Sequence, residues 1–325
     1  MKKDFYSWIM GALICGACSN DVTLSSPISS GKPIGFSGDI KESITREYSS
    51  TNMPTTIGVF AYFTHGIFAD NIATATPNYM YNTELSKAAD TSTWSYAPIL
   101  YWPNNTDDKL SFFAYAPYNS TSSLSQVATG YPSFNFALPT DETSETTDLL
   151  AASLMDKTYA HGIVKFTLKH ALTKVHFIIK NADSDGTSKT ISTLSIKSYR
   201  TGTINYTANG INWTNTSTAD FRTYQFITAP LSLNALYTSE VDAGSTLVIP
   251  ENTNATISFT YNMTIDGEEK TVTATDTQLP ATPAWNPGSV ITYTIWLKQE
   301  DEATIVATSN SAWSNAGDDE TITIE

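Results

Sequence analysis

The chain contains little cysteine, and both of its cysteines lie near one end. Cys15 and Cys18 are the only two among 325 residues. A disulfide framework like those that stabilise small secreted domains is therefore excluded. Their C-x2-C spacing would suggest a zinc or redox site elsewhere, but here the pair ends an N-terminal apolar run. Stability must therefore come from a buried core, which a chain of this length can build.

Basic residues are also scarce. The sequence has 18 Lys and Arg against 32 Asp and Glu, which gives a formal net charge of −14. It has no basic run and no cluster of Arg with aromatic residues, so nucleic acid is not an expected partner. Only 15% of the residues are charged and 12% are aromatic. Together with abundant Thr, Ser and Asn, this indicates an exported β-rich protein and not a disordered chain.

The motifs of catalysis and metal binding are missing as well. The sequence has no G-x-S-x-G elbow, no P-loop and no H-E-x-x-H pair. Its acidic clusters lack the spacing of a calcium-binding loop. His170 and His176 have no acidic or cysteine neighbours in sequence of the kind that surround a metal. We therefore expect no catalytic residue, no metal and no cofactor.

The N-terminus has the pattern of an export signal. Lys2 and Lys3 precede an apolar run from Phe5 to Ile14, which is too short to span a membrane. The small residues before Cys18 make this exit similar to the lipobox of bacterial lipoproteins, which are cut before a cysteine that then carries lipid. This predicts a signal peptide at 1–17 and a lipid on Cys18, with ordinary secretion and cleavage nearby as the alternative.

The rest of the chain is patterned as short strands. Apolar residues alternate in runs separated by turn residues, and no stretch has helical periodicity. The run at 110–115 is apolar on both faces, which predicts a central strand. Asp266-Gly267 and Asn209-Gly210 predict hairpin turns, the first with Tyr261 opposite Val272 and Phe259 opposite Ala274. Residues 149–155 are compatible with a helical turn or a strand. The pattern predicts an all-β fold with two sandwiches, divided near residue 157.

Several segments together resemble the fimbrillin family, the pilin subunits of Gram-negative anaerobes of the gut and mouth. They occur in the family's order along nearly the whole chain after the signal. They are IGVFAY at 57–62, PNYMYN at 77–82, WSYAP at 94–98, YWP at 101–103, SFFAYAP at 111–117, DLLAA at 148–152, FTLKHAL at 166–172 and WNPG at 285–288.

The resemblance implies two transthyretin-like β-sandwich domains in tandem, at 47–157 and 158–325, and polymerisation on the cell surface. It also implies that a trypsin-like protease cuts after Arg46, before Glu47, and releases a propeptide at 18–46 with the first strand. The alternative is that Arg46 is an exposed charge in a loop and is never cut. In that first strand Ile34, Phe36 and Ile40 share a face, and burying them contributes roughly 5–9 kcal/mol as an upper estimate.

A strand from another subunit's C-terminus would then fill the vacated groove. In the tail at about 298–325 of this sequence, Ile305 and Ala307 alternate with Val306, and residues 321–324 form another alternating piece. An alternative is that its strands complete the second domain's own sheet. The donor residues expected from the resemblance are Ile305, Ala307, Trp313, Ile322 and Ile324.

The sequence is thus interpreted as a structural subunit of fimbriae, located at the outer membrane and cell surface and supporting adhesion. Expected partners are other fimbrial subunits, the outer membrane through the lipid on Cys18, the processing protease, and host glycans or proteins. The alternative is a surface lipoprotein that binds glycans through exposed tryptophans and supports nutrient capture. A hydrolase with scattered carboxylates is a third hypothesis, although no catalytic grouping is visible.

Overall fold

The structure is a computed structural model that describes residues 31–40, 54–88, 94–120, 128–144, 146–182, 187–214, 220–235, 239–299, 303–310 and 322–323. Within these ranges the chain is almost entirely β, so the predicted all-β class is confirmed. Its helical segments there are α1 (Phe68–Asn71) and a 3-10 turn at Tyr159–His161. None of the described helices has the length and hydropathy that a membrane crossing requires.

The strands follow one another in short segments along the chain. They are β1 (Phe36–Ile40), β2 (Thr56–His65), β3 (Met80–Ser86), β4 (Asp108–Ala116), β5 (Ser133–Ala137), β6 (Leu150–Lys157), β7 (Val164–His170), β8 (Thr173–Asn181), β9 (Lys189–Tyr199), β10 (Thr201–Thr207), β11 (Gly210–Thr214), β12 (Phe221–Gln225), β13 (Leu231–Leu233), β14 (Glu240–Val248), β15 (Thr256–Ile265), β16 (Glu268–Gln278), β17 (Val290–Leu297), β18 (Thr304–Asn310) and β19 (Ile322–Thr323).

The first sandwich is built on a six-stranded sheet in the order β1-β7-β6-β4-β2-β3. Its β4 lies between β6 and β2, as its two apolar faces predicted. Phe112 on one face and Phe113 on the other are both fully buried, in different core clusters. A three-stranded sheet, β11-β10-β5, packs on the Phe113 face through residues that include Phe134 and Tyr206. The segment at 94–102 and the first strand cover the Phe112 face.

The second sandwich joins two five-stranded sheets. One has the order β12-β9-β15-β16 with β13 also on β9, and the other has the order β14-β8-β17-β18-β19. Alternate residues of these strands form one buried cluster between the sheets. The hairpin of β15 and β16 has the predicted register, since Phe259 pairs with Ala274 and Tyr261 with Val272. Its turn residues Asp266 and Gly267 both have positive φ, at 53° and 84°, as a type I′ turn requires.

The first sheet extends past residue 157, where the sequence analysis divides the chain. β7 begins at Val164 and pairs with β6 and, in parallel, with β1. The hairpin of β10 and β11, at 201–214, also belongs to the first sandwich through its pairing with β5. The division at 157 therefore cuts through one sheet. The physical reason is that β6 and β7 form an antiparallel pair joined by a short turn, which keeps both strands in the same sheet.

Candidate functional site

The first strand lies at the edge of the first sheet and is held from two sides. Just before it, the Ile34 N–H donates to the Leu100 carbonyl at 2.9 Å, and the Trp102 N–H donates to the Lys32 carbonyl at 3.0 Å. The chain then crosses to β7, where the Val164 N–H donates to the Gly35 carbonyl at 2.9 Å. β1 continues in parallel with β7 to the pair of Ile40 with Leu168. The segment at 32–40 thus fills a slot between residues 100–102 and β7.

The floor of this slot is aromatic. Ile34 is 2% exposed and Phe36 is 4% exposed. The Phe36 ring meets Tyr96 edge-on with centroids 5.2 Å apart, meets Phe112 edge-on at 5.8 Å, and stacks on Phe166 at 5.9 Å. Edge and offset contacts at these distances stabilise aromatic pairs beyond their buried area. We call this slot, with its floor and its two backbone walls, the first-strand groove.

Two tyrosines secure the wall opposite β7. The Tyr96 hydroxyl donates to the Ile34 carbonyl at 2.9 Å, and the Tyr79 hydroxyl donates to the Tyr101 carbonyl. Burial, and then the neighbouring Tyr96, raises the pKa of Tyr79 to about 12. Burial also raises the pKa of Tyr96. Both hydroxyls therefore remain protonated donors at neutral pH, and the strand's entry into the groove does not depend on their titration.

The structure places only part of the expected propeptide. Ile34 and Phe36 are buried in the groove as core residues, and the backbone of Ile40 is paired in β1. The Ile40 side chain, Cys18, Arg46 and Glu47 lie outside the described residues. The groove is therefore defined by the segment at 32–40 that fills it, while the lipid site and the cleavage site remain predictions.

The tail is paired inside the second sandwich. β18 runs antiparallel to β17, with Ile305 opposite Ile295 and Ala307 opposite Tyr293. Ala307 is fully buried, and Ile305 packs against the same core cluster. The backbone of Ile322 pairs with Ala307 in β19. The Ile322 side chain, Trp313 and Ile324 are outside the described residues. In this state β18 completes its own sheet, which is the alternative that the sequence left open.

Three of the four histidines have acidic partners that sequence reasoning missed. His65 Nδ1 lies 2.7 Å from Asp108, and His176 Nε2 lies 2.8 Å from Asp242. His170 Nδ1 is bonded to the buried carboxylate of Asp148. No sequence signal could have found these pairs, since at least 22 residues separate the partners of each one. Across the described ranges, no three His, Cys, Asp or Glu side chains come together as a metal site would need.

Three of the tryptophans that could have stacked on sugars are core residues. Trp94, Trp102 and Trp285 are 5%, 1% and 3% exposed. Trp296 is half-buried under the Lys180 ammonium, which lies 5.4 Å from its ring. Core packing therefore accounts for most of the described tryptophans. The described aromatic side chains of the first-strand groove likewise pack on the chain's own Phe36.

Comparison with known proteins finds a family model and a curated relative that match this chain. A family model described as fimbrillin-like matches residues 45–313. The fimbrium subunit Fim1C of Phocaeicola vulgatus is 29% identical over 189 residues, which are 51% of this chain and 48% of that protein. The chain thus spans about half the length of the curated relative that it matches.

Solved structures share the fold. A fimbrial protein from Bacteroides vulgatus superposes with a TM-score of 0.71 at 20% identity, over 87% of this chain and 99% of that one. A candidate cell adhesion protein from Bacteroides uniformis gives a TM-score of 0.53 at 19% identity, over 87% of this chain and 99% of that one. At such identities the likeness concerns the arrangement of strands alone.

Proposed function

The chain belongs to the fimbrillin-like family, and from this membership we propose that it is a structural subunit of cell-surface fimbriae. Its copies would join by exchanging their own first strand for a strand from a neighbour. The work is mechanical, so no catalytic residue or cofactor is needed. The observation that carries the proposal is the seating of β1. It is an edge strand from the N-terminal part of the chain, and the side chains of Phe36 and of the preceding Ile34 are buried in the groove.

The groove explains why a cut would be needed. While β1 is covalently attached, the chain keeps it at a high effective concentration beside its groove, where the buried Phe36 side chain and the ladder hydrogen bonds favour the bound strand. Cutting after Arg46 would turn the strand into a separable peptide. Its loss would expose the ring faces of Tyr96, Phe112 and Phe166 together with an unpaired edge of β7. Strand addition from a neighbour satisfies both the apolar floor and that edge.

The donor would come from the C-terminal tail. Because β18 is paired with β17 and buries Ala307, using it as donor would cost part of the second core. The residues after 310 include Ile322 and Ile324, which alternate as Ile34 and Phe36 do. We therefore place the donor in the last part of the tail, beyond β18.

Attachment to the outer membrane through a lipid on Cys18 belongs to the same proposal, since the small residues before it match a lipobox. Replacing Cys18 with Ala should abolish labelling with a palmitate analogue and leave unprocessed precursor. Labelling of that variant at the parent's level would contradict it. Processing after Arg46 would remove the lipid together with residues 18–46, which suits a subunit that leaves the membrane for the fimbria.

An arginine-specific protease tests the proposed switch. Purified protein that lacks the signal should convert from monomer to an SDS-resistant ladder when treated. Arg46→Ala should stay monomeric, because the covalent strand is not released. Lys41→Ala, which changes a nearby basic residue that such a protease ignores, should polymerise like the parent. A normal ladder from Arg46→Ala would place the switch elsewhere.

A further inference from the structure

Large apolar side chains are exposed at few places in the described chain, and most of them lie near the entrance of the first-strand groove. Five such side chains are more than about two-fifths exposed: Ile67 45%, Ile99 51%, Tyr101 42%, Tyr159 54% and Ile163 62%. Single exposed apolar residues need no explanation, but a cluster indicates an interaction surface. Four of these five form such a cluster.

Each of the four touches or adjoins residues 32–35. Tyr101 forms a β-bridge with Pro33. The Lys32 ammonium lies 5.4 Å from the centre of the Tyr159 ring. A Cβ atom added to Gly35 would lie 3.5 Å from the Ile163 side chain.

The fourth member, Ile99, precedes Leu100, whose carbonyl accepts the hydrogen bond from the Ile34 N–H. The fifth exposed residue, Ile67, differs. It precedes α1, whose Phe68 packs on the opposite face of the sheet. We call the four side chains Ile99, Tyr101, Tyr159 and Ile163 the rim patch.

Removing the propeptide would enlarge the rim patch. Residues 32–35 would leave with β1, and with them the Lys32 ammonium over the Tyr159 ring and the backbone bridge of Pro33 to Tyr101. A subunit ready to assemble would then present an apolar groove whose entrance is also apolar. Exposed apolar area of this kind is costly in water until a partner covers it.

The charge around the entrance indicates which partner fits. Tyr159 and Lys109 line a cavity of about 500 Å³ beside the rim patch. The chain as a whole carries a net charge of −14, so two copies repel unless they meet where the charge is locally favourable. The tail beyond β18, residues 311–325, has no Lys or Arg and carries four acidic residues: Asp318, Asp319, Glu320 and Glu325. An acidic tail that approaches Lys109 is complementary to it.

We infer that the rim patch is a docking surface for a second copy of this chain, which covers it while the copy's acidic tail enters the groove. This inference rests on the proposed function and extends it, because it assigns residues outside the groove to the subunit interface. The patch would hold the incoming subunit in place before its strand has displaced water along the groove floor. Its contribution should therefore appear in the rate of assembly.

A charge placed on the patch tests this inference. Ile163→Asp and Ile99→Asp put a carboxylate on the rim patch, where an acidic partner approaches. Ile67→Asp is the matched control, because it makes the same change at similar exposure outside the rim patch. Each protein is treated with the arginine-specific protease, and polymer is followed by light scattering. Circular dichroism and melting temperature verify that all variants fold like the parent.

We expect the two patch variants to polymerise about tenfold more slowly than the parent, a loss that corresponds to about 1.4 kcal/mol, and Ile67→Asp to follow the parent. If the parent polymerises and Ile163→Asp matches its rate, the patch is not a docking surface and the proposed function still stands. An equal slowing of Ile67→Asp would also overturn the inference, because the effect would then be general. Failure of the parent itself to polymerise would overturn the proposed function, and this inference with it.

Discussion

Phe36 is the residue through which the first strand is anchored in its groove. Its ring contacts three others, and only 4% of its surface is exposed. Phe36→Ala should lower the stability of the uncut protein by about 3–5 kcal/mol, the usual cost of removing a buried phenyl ring. Urea unfolding followed by tryptophan fluorescence measures this, since Trp94 and Trp102 belong to the same core cluster.

The neighbouring Ser37 supplies the control for this change. It follows Phe36 in β1 and points to the other face, where it is only half-buried. Ser37→Ala should shift stability by no more than about 0.5 kcal/mol, as surface changes do. If Phe36→Ala were as mild as Ser37→Ala, the strand would not be held by its apolar side chains.

The ion pair of Arg200 and Asp220 should make part of the stability depend on pH. Two hydrogen bonds of 2.7 Å join the guanidinium to the carboxylate, and they hold the pKa of Asp220 below its usual value. Because the folded-state pKa is the lower one, this contribution is present above the unfolded pKa and is lost as the pH falls through the folded pKa. Asp220→Asn should therefore flatten the loss of stability between about pH 5 and pH 2.

Urea midpoints across that pH range test the prediction. Arg200→Ala should flatten the profile in the same way, because it removes the donor that lowers the pKa. Both side chains are about a quarter exposed, at 26% and 29%, so the change should be small. Profiles that remain parallel to the parent's in both variants would mean that other carboxylates carry the acid sensitivity.

At the scale of residues, the sequence predicted what alternation and turn chemistry determine locally. Ile34 and Phe36 were expected on one buried face, and Asp266-Gly267 was expected to close a hairpin, because both signals lie within a few neighbouring positions. The partner of His170 could not be predicted, since Asp148 meets it only through the pairing of β6 with β7. Contacts of that kind depend on the strand register, and a single sequence does not define it.

Among the elements, β18 completes the second sandwich, whereas the sequence analysis considered it together with the rest of the tail as a donor strand. Its pairing with β17 and the burial of Ala307 make it part of the second sandwich. Deleting residues 311–325 should leave a stable monomer that accepts a donor strand but cannot supply one. Deleting residues 303–325 should also strip an edge from the sheet and lower the melting temperature, because the β17 edge and its core face become exposed.

Mixing experiments measure this difference. Protease-treated protein lacking 311–325 should cap growing polymers of the parent and shorten the ladder, because it offers an empty groove but no donor. A deletion that polymerises alone at the parent's rate would show that the donor lies elsewhere. If removal of 303–325 left the melting temperature unchanged, β18 would not be a structural strand.

Whether a segment forms a strand was easier to predict than the sheet to which that strand belongs. Two-faced apolar runs identified the central β4, and the strand alternative at 149–155 proved to be β6. The hairpin of β10 and β11 could not be assigned to the first sandwich, because its partner β5 lies more than sixty residues earlier. Long-range pairings of this kind leave no mark on local periodicity.

The whole molecule consists of two sandwiches, and no single position in the chain separates the strands of one from the strands of the other. The six-stranded sheet takes strands from both sides of residue 157, and its edge position is filled by the N-terminal β1. The order along the chain therefore places the first strand toward one end and the acidic tail toward the other. That arrangement suits subunits that link head to tail, each giving a strand and receiving one.

The central claim is that β1 must leave its groove before a neighbour can bind there. A disulfide between β1 and β7 tests this most directly, because Ser37 and Lys165 are paired across the two strands. Paired residues of adjacent strands lie within the Cα separation that a disulfide requires. Ser37→Cys and Lys165→Cys are combined in protein lacking residues 1–18, which removes both native cysteines.

The measurement is polymer formation after cleavage at Arg46, with the engineered disulfide either oxidised or reduced. The strand-exchange account predicts that the oxidised protein is cut but stays monomeric, and that a reductant restores the parent's ladder. Each single-cysteine variant should polymerise under both conditions. Equal polymerisation of the oxidised and reduced proteins would contradict the account, because assembly would then proceed with the first strand still in place.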